Sequence, residues 1–243
     1  MFTAFVFAAT FSFAATTSTG GYFDVGEIMV YITALVMGPY VGAFAGGVGS
    51  MLSDALLAPQ FAPGTLVIKG AEGFIVGYLA QRGFRKIPEG VQRRVGVLLA
   101  AVVGVAVAAI GLTSFPDVSI SLGQLGLTPT ASTPDYPLSV AAWTGAACLA
   151  FVVTLVIGSR VGQRFAWVAL AILAGGAEMV AGYFLYETQV LQLGLLAPTA
   201  EIPVNILQAV VGLIVAPPIA ARVQGVFGAR GRLGSGPTGK EVV

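Results

Sequence analysis

Lys69 and Glu72 are the residues of this sequence whose types and spacing most clearly indicate chemistry. They lie three positions apart inside an apolar stretch, so a helix would place both on one face, where they could neutralise one another. A charge at the centre of a bilayer costs about 2.5 to 3.5 kcal/mol on insertion scales. Charges that persist there usually face a cavity or a partner, so this pair indicates a site or a pathway.

Other polar residues flank or enter neighbouring apolar stretches, always toward the same predicted side of the bundle. The candidate ligand contacts among them are Glu27, Asp54, Glu178, Tyr183, Asn205 and Gln208, which join Lys69 and Glu72 around one chamber. Phe23 and Phe61, in the connections on that side, would close over a ligand. Asp24, Glu187 and Glu201 are equally compatible with helix capping, because the helix macrodipole stabilises an acid near a helix N-terminus.

The residue types that most enzymes need are absent from this sequence. It contains no histidine, and Cys148 is its single cysteine, which excludes an internal disulfide. Metal-assisted hydrolysis and a Ser-His-Asp triad are therefore excluded. We expect no catalytic residues, no metal and no cofactor. A membrane enzyme would have only carboxylates and Lys69 as nucleophile or base.

The elements that must position the polar residues are strongly apolar. The 243 residues are 56% hydrophobic and 9% charged, with a mean hydropathy of +0.90, whereas a soluble domain carries about a quarter charged residues. A membrane helix needs roughly 20 apolar residues. We predict an all-α polytopic membrane bundle of about eight transmembrane helices, over residues 2–15, 25–37, 39–57, 65–80, 95–113, 138–158, 166–186 and 202–221.

Positive charge predicts the orientation of these helices. Lys and Arg collect after the fourth, sixth and eighth stretches, whereas the loops at 16–24, 57–64, 114–137 and 187–201 contain neither. With eight crossings the basic segments share one side, which the positive-inside rule makes the cytoplasm. We expect a multi-pass plasma-membrane protein with both termini in the cytoplasm and the chamber facing outside.

Small residues predict how the helices pack. Gly38, Gly42, Gly46 and Ser50 recur at every fourth position, and Asp54 continues the stripe. Such a ridge lets another backbone approach closely. We predict one transmembrane domain over residues 1–228, followed by a disordered Gly-rich cytoplasmic tail at 229–243. The tail's match to a phosphate-binding loop fails, since Glu241 replaces the required Ser or Thr.

Short runs of the sequence resemble the substrate-binding S component of energy-coupling factor (ECF) vitamin transporters. The resemblance covers most of residues 1–82 and 166–222, and the order and spacing of the runs carry it. The runs are FDVGE at 23–27, GPYVG at 38–42, GGVG at 46–49, Asp54, KGAEG at 69–73, GYFLYE at 182–187 and EIPVNILQ at 201–208.

The resemblance implies a function and a set of partners. S components capture a vitamin or related micronutrient from outside, then associate with a transmembrane coupling subunit and two cytoplasmic ATPases that power uptake. It also implies that Ala4 and Ala8, an A-x-x-x-A pair on the first helix, contact the coupling subunit. S components typically have six helices, so the stretches within about 91–164 would be an inserted pair. Neither inserted stretch contains a charged residue, so the pair need not line the site.

A second class of function stays open at this stage. A stand-alone secondary transporter or channel for a small polar solute would show internal repeats and polar groups in both halves of the membrane. Here the polar residues stop in one half and no repeat is evident, which favours the S component. No nucleic-acid partner is expected, and the residues do not name the vitamin.

Overall fold

A computed structural model describes residues 1–16, 22–82, 89–114, 119–120, 136–137, 140–161 and 165–234. Eight α-helices fill these segments, which confirms the predicted all-α class. They are α1 (Phe2–Ser12), α2 (Gly26–Met37), α3 (Pro39–Leu57), α4 (Ala62–Arg82), α5 (Glu89–Ser114), α6 (Val140–Val161), α7 (Phe165–Leu185) and α8 (Leu196–Gly234). A π-helical segment, Tyr186–Val190, continues α7.

Two short strand pairings accompany the helices. β1 (Ala15–Thr16) pairs antiparallel with β2 (Tyr22–Phe23), and β3 (Ser119–Ile120) pairs antiparallel with β4 (Tyr136–Pro137). α1 ends at Ser12 and not at residue 15 as predicted, and Ala15 belongs to the first pairing instead.

The helices differ in their capacity to cross a bilayer. Within the described segments, α3, α5, α6, α7 with its π-helical extension, and α8 are long and apolar enough to span. α1 and α2 have 11 and 12 residues, which at 1.5 Å per residue is well short of a hydrocarbon core of about 30 Å. α4 has the length, with 21 residues, but carries Lys69 and Glu72 in its middle. The short and charged helices therefore depend on the longer ones for shielding from lipid.

α8 is longer than predicted at both ends. It begins at Leu196 and continues for 39 residues through Pro203, Pro217 and Pro218, which spans roughly 58 Å. The sequence predicts a disordered tail from residue 229, whereas α8 continues to Gly234. Residues 235–243 lie outside the described segments.

α3 and α4 form the most extensive helix pair, and glycines make their contact close. A methyl group added to Gly47 would lie 2.6 Å from the carbonyl oxygen of Leu66, and one added to Gly46 would lie 2.8 Å from that of Lys69. Real side chains do not approach backbone that closely, so only glycine fits. The predicted packing role of the small-residue stripe is confirmed at Gly42 and Gly46, which meet the carbonyl oxygens of Gly73 and Lys69. At the other end of α3, Gly38 turns the chain from α2 with φ of 88°, a conformation that favours glycine.

α5 and α6 stand apart from the rest of the bundle. They pack mainly on each other and make smaller contacts with α7 and α8. Side chains such as Leu98, Val105 and Leu149 are more than 60% exposed, as lipid-facing groups of a peripheral hairpin would be. The centre of the buried core lies among α2, α4, α7 and α8, around Tyr31, Val76, Ile172 and Leu213, and the inner faces of α5 and α6 join it through Val103 and Ala147.

Two glycines of the α3–α4 contact provide a test of this packing. Gly47→Ala should lower the free energy of unfolding by about 1 to 3 kcal/mol, because its methyl group meets backbone that cannot move aside. Gly70→Ala is the matched control, since its methyl group would have no neighbour nearer than 3.6 Å. Thermal unfolding in detergent measures both. Equal stability of the two variants would contradict the close approach.

Candidate functional site

A polar cavity lies at one end of the bundle, where alternate helix ends meet. The starts of α2, α4 and α8 come together there with the ends of α1, α3 and α7. The cavity has a volume of about 50 Å³. Its lining consists of Thr10, Tyr22, Asp24, Gly26, Glu27, Ser50, Asp54, Phe61, Thr65, Lys69, Tyr183, Glu187, Glu201, Asn205 and Gln208.

Lys69 is the centre of a buried ion network at the floor of this cavity. Its ammonium contacts the carboxylate of Glu27 on α2 and lies 3.1 Å from Glu72 Oε2, one turn along α4. The Tyr31 hydroxyl donates to Glu72 Oε1 at 2.7 Å. All four residues are at most 5% exposed. Each Glu72 oxygen therefore has a partner, which a buried carboxylate needs if it is to remain charged.

Asp54 anchors a second network, which joins β2, α3, α4 and α7. The hydroxyls of Tyr22 and Thr65 both donate to its carboxylate. Thr65 Oγ1 also lies 2.9 Å from the Tyr183 hydroxyl. Tyr22 lies outside the helices; burial, and then the neighbouring Asp54, raise the pKa of its hydroxyl, which keeps it a donor.

Asp24 joins the start of α2 to α8. Its Oδ1 accepts the Gly26 N–H at 2.6 Å, and its Oδ2 accepts Gln208 Nε2 at 2.7 Å. Burial raises the pKa of the Asp24 carboxyl to about 6, while the Lys69 ammonium and the Gly26 N–H oppose the rise. Asp24 therefore accepts the N–H of Gly26, the first residue of α2, and lines the cavity as well.

Some polar atoms of the cavity have no hydrogen-bond partner within the described segments. They are Thr10 Oγ1, Glu27 Oε2 and Glu187 Oε2. These residues are 2%, 1% and 3% exposed, so bulk water does not reach them. Buried polar atoms in folded proteins are nearly always paired, and each exception indicates a bound molecule or a strained group. Among the described residues, three of the five unpaired buried side-chain atoms lie in the lining of this cavity, where a bound molecule or ordered water would supply their partners.

A family model described as "ECF-type riboflavin transporter, S component" matches residues 1–124. The chain belongs to this family. An S component is a membrane transport protein and not an enzyme, and the fold described above agrees with that class.

The other comparisons add less to this assignment. A Pyrococcus woesei protein named "Uncharacterized protein in gap 3'region" is 52% identical over 61 residues, which is 25% of this chain and 41% of the relative. The match thus spans less than half of the relative's length. No solved structure matches this S component. The cavity residues of α7 and α8 lie beyond the stretch that the family model matches.

The structure brings most of the predicted ligand contacts together. Glu27, Asp54, Phe61, Lys69, Tyr183, Asn205 and Gln208 line the cavity. Glu72 lies one contact behind it, through Lys69. Phe23 and Glu178 are not among the lining residues. Phe23 follows Tyr22 in a strand, where successive side chains point to opposite faces, so the side chain that faces the cavity is that of Tyr22.

Several lining residues were not among the predicted ligand contacts. Ser50 belongs to the small-residue stripe and was interpreted as packing, although the next member of that stripe, Asp54, was assigned to the site. Thr10 and Thr65 gave no signal, because single threonines are common in membrane helices. Glu187 and Glu201 are polar residues on the predicted side of the bundle, but the sequence did not distinguish a ligand contact from a helix cap at either position. Among the described residues no cluster of potential ligands suits a metal ion.

A larger space of about 470 Å³ lies between α7 and α8. Its lining contains only apolar side chains and glycine, with Phe184 and Ile206 among them. In a membrane such a groove meets hydrocarbon, which gives a polar solute nothing to hydrogen-bond. Buried charges inside a membrane protein usually mark a functional site. The smaller polar cavity is therefore the better candidate site.

The ion network around Lys69 predicts a large loss of stability when its cation is removed. Lys69→Met should lower the free energy of unfolding by about 3 to 5 kcal/mol, because Glu27 and Glu72 remain buried without a counter-charge. Arg82→Met is the control. Arg82 is exposed at the end of the same helix and contacts the Tyr78 ring, so its loss should cost about 1 kcal/mol or less.

A triple variant separates this charge effect from altered packing. Glu27→Gln and Glu72→Gln, added to Lys69→Met, should restore at least half of the lost stability as measured by chemical or thermal unfolding in detergent. If the triple variant is no more stable than Lys69→Met, unpaired buried charge is not the cause of the stability lost in Lys69→Met.

Proposed function

We propose that this S component binds a small micronutrient in the polar cavity and delivers it to an ATP-driven ECF importer. The observation that carries the proposal is the set of buried, unpaired polar atoms in a cavity lined by six helices and β2. A protein gains nothing in stability from burying such atoms, so they are retained for binding. Riboflavin, which the family description names, is one member of this ligand class.

The cavity in this structure is smaller than a vitamin needs. Ligand pockets usually measure about 300 to 1,000 Å³, whereas the space here holds only a few waters. Binding of a vitamin therefore requires the lining to move apart. The carboxylates of Asp54 and Asp24 hold separate elements together across the cavity. When the lining moves apart, these hydrogen bonds would break and contacts with the ligand would replace them.

The placement of charge supports a cavity that faces outside. α4 begins at the cavity end and reaches Arg82 at the opposite end, and α8 runs from the cavity end toward Arg222. α1 starts at that opposite end as well, so the start of α1 and the end of α8 share the side of the bundle where Arg82 and Arg222 lie. By the positive-inside rule this side is the cytoplasm of a plasma-membrane protein.

The partner surface is proposed to lie on α1. Ala4 and Ala8 are one turn apart and both are exposed, although α1 packs against α2 and α3 through Val6 and Thr10. An exposed pair of small residues allows another helix to approach closely in a membrane. The coupling subunit, which would bring the two ATPases, is proposed to dock here.

Affinity purification of the tagged chain from its native cells tests this function. A transmembrane coupling subunit and two ATPases should be recovered with the unaltered chain, and Ala8→Trp should remove all three by blocking close approach of the helices. Ala174→Trp, at an exposed alanine on α7, should retain them. Thermal unfolding should show that both variants remain folded.

Two outcomes would contradict the proposal at different points. Recovery of no coupling subunit or ATPase with the unaltered chain would favour a transporter that acts alone. Recovery of all three with Ala8→Trp would leave the function in place and move the partner surface away from α1.

A further inference from the structure

Asp24 holds the start of α2 to α8 across the polar cavity. Its carboxylate accepts the backbone N–H of Gly26, the first residue of α2, and the side-chain N–H of Gln208 on α8. The fit is close, because a methyl group added to Gly26 would lie 2.7 Å from Asp24 Oδ1 and closer still to Thr10 Oγ1 of α1. The carboxyl is therefore enclosed by α1 and α2 on one side and by α8 on the other.

Charged groups act on Asp24 from neighbouring helices. Among the described lining residues Lys69 on α4 is the one cation, and it attracts the Asp24 carboxylate. Asp54 on α3 and Glu72 on α4 repel it. Lys69 is shared with Glu72 and with Glu27, so it offsets only part of the negative charge. The other titratable groups of the lining are Tyr22, Glu27, Tyr183, Glu187 and Glu201. Titration at Asp24 must therefore be distinguished from titration at these groups.

Burial is the largest influence on the Asp24 carboxyl. The side chain has lost most of its hydration, which raises its pKa from 3.8 to about 6, although Lys69 and the Gly26 N–H oppose the rise. Protonation removes the cost of keeping this charge away from water. The neutral acid keeps its partners, because its carbonyl oxygen can accept the Gly26 N–H and its hydroxyl can donate to the amide oxygen of Gln208 once that amide is flipped. The closed cavity is therefore more stable with Asp24 protonated.

Opening of the cavity reverses the effect of burial. A space of about 50 Å³ is too small for a vitamin, so the lining must move apart, and the contact of Asp24 with Gln208 crosses it. Water then reaches the Asp24 carboxyl and its pKa returns toward 3.8. A proton that the closed state binds is therefore released on opening. The stabilisation of the closed state by this proton is complete below about pH 3.8 and is lost as the pH rises through about 6.

We propose that the contact of Asp24 with Gly26 and Gln208 is a proton-controlled latch on the cavity. Protonation of Asp24 keeps α2 and α8 together, and loss of the proton allows them to part. The latch stands on the bridging hydrogen bonds, the close fit at Gly26 and the small volume of the closed cavity. Its biological meaning rests on the function proposed above, since the same latch would slow capture of a vitamin from an acidic exterior. The movement itself can be measured without a ligand.

Hydrogen–deuterium exchange of the purified full chain in lipid nanodiscs tests the latch. The Gly26 N–H exchanges when its bond to Asp24 opens, so its protection factor, the ratio of the intrinsic to the observed exchange rate, measures opening at each pH. With a pKa of about 6 when closed and 3.8 when open, protection should be about tenfold higher at pH 5 than at pH 8. The Gly47 amide, in the α3–α4 contact, is the internal control and should change by about twofold or less.

Matched variants identify the group that titrates. Asp24→Asn keeps the shape and the hydrogen-bonding capacity of the protonated acid, so the protection of Gly26 should be high and nearly equal at pH 5 and pH 8. Glu187→Gln makes the equivalent change at another carboxyl of the lining and should preserve the difference of about tenfold.

Four results would overturn the latch. They are a Gly26 protection factor that is the same at both pH values, an equal change at Gly47, a difference that persists in Asp24→Asn, and a difference that Glu187→Gln removes. These failures are distinct from failure of the proposed function, because no ligand or partner is present in the measurement. A chain that recovers no coupling subunit or ATPase can still show the latch, and a chain without the latch can still be part of an importer.

Discussion

The contact of Lys69 with Glu27 and Glu72 is the interaction on which the rest of this structure depends. It places three formal charges in the interior of a membrane protein, where an unpaired charge would cost several kcal/mol. Because Glu27 is on α2 and the other two are on α4, the network also fixes how these helices face each other. The first turn of the short α2 therefore lies beside Lys69 and Glu72 of α4. The cavity forms next to this ion network, toward the start of α4.

The packing of α3 supports the same arrangement from the other side. Gly46 lies against the carbonyl group of Lys69, so the two helices approach closely at the residue that carries the charge. Asp54 follows eight residues later on the same stripe and reaches the cavity. Close packing and polar function thus share one helix face, and the glycines bring the backbone near enough for Asp54 and Thr65 to bond.

The sequence was sufficient to predict the helices and much of the cavity, because both have simple physical signatures. Long apolar runs predict membrane helices, and a charge such as Lys69 within them must face inward. The residues that sequence reasoning missed have no such signature: Thr10 and Ser50 resemble packing residues, and Tyr22 rather than Phe23 faces the cavity because of local strand register. The helical state of residues 229–234 was missed since their glycine and arginine content suggested a solvated tail.

An experimental structure of the chain with the small molecule that it binds is the most direct test of the central claim, that the polar cavity above Lys69 is the ligand site. The account predicts ligand density among Glu27, Glu187, Asn205 and Gln208, with the lining moved apart and the contacts of Lys69 to Glu27 and Glu72 preserved. Density in the apolar groove between α7 and α8, beside Phe184 and Ile206, with the polar cavity unchanged, would contradict it.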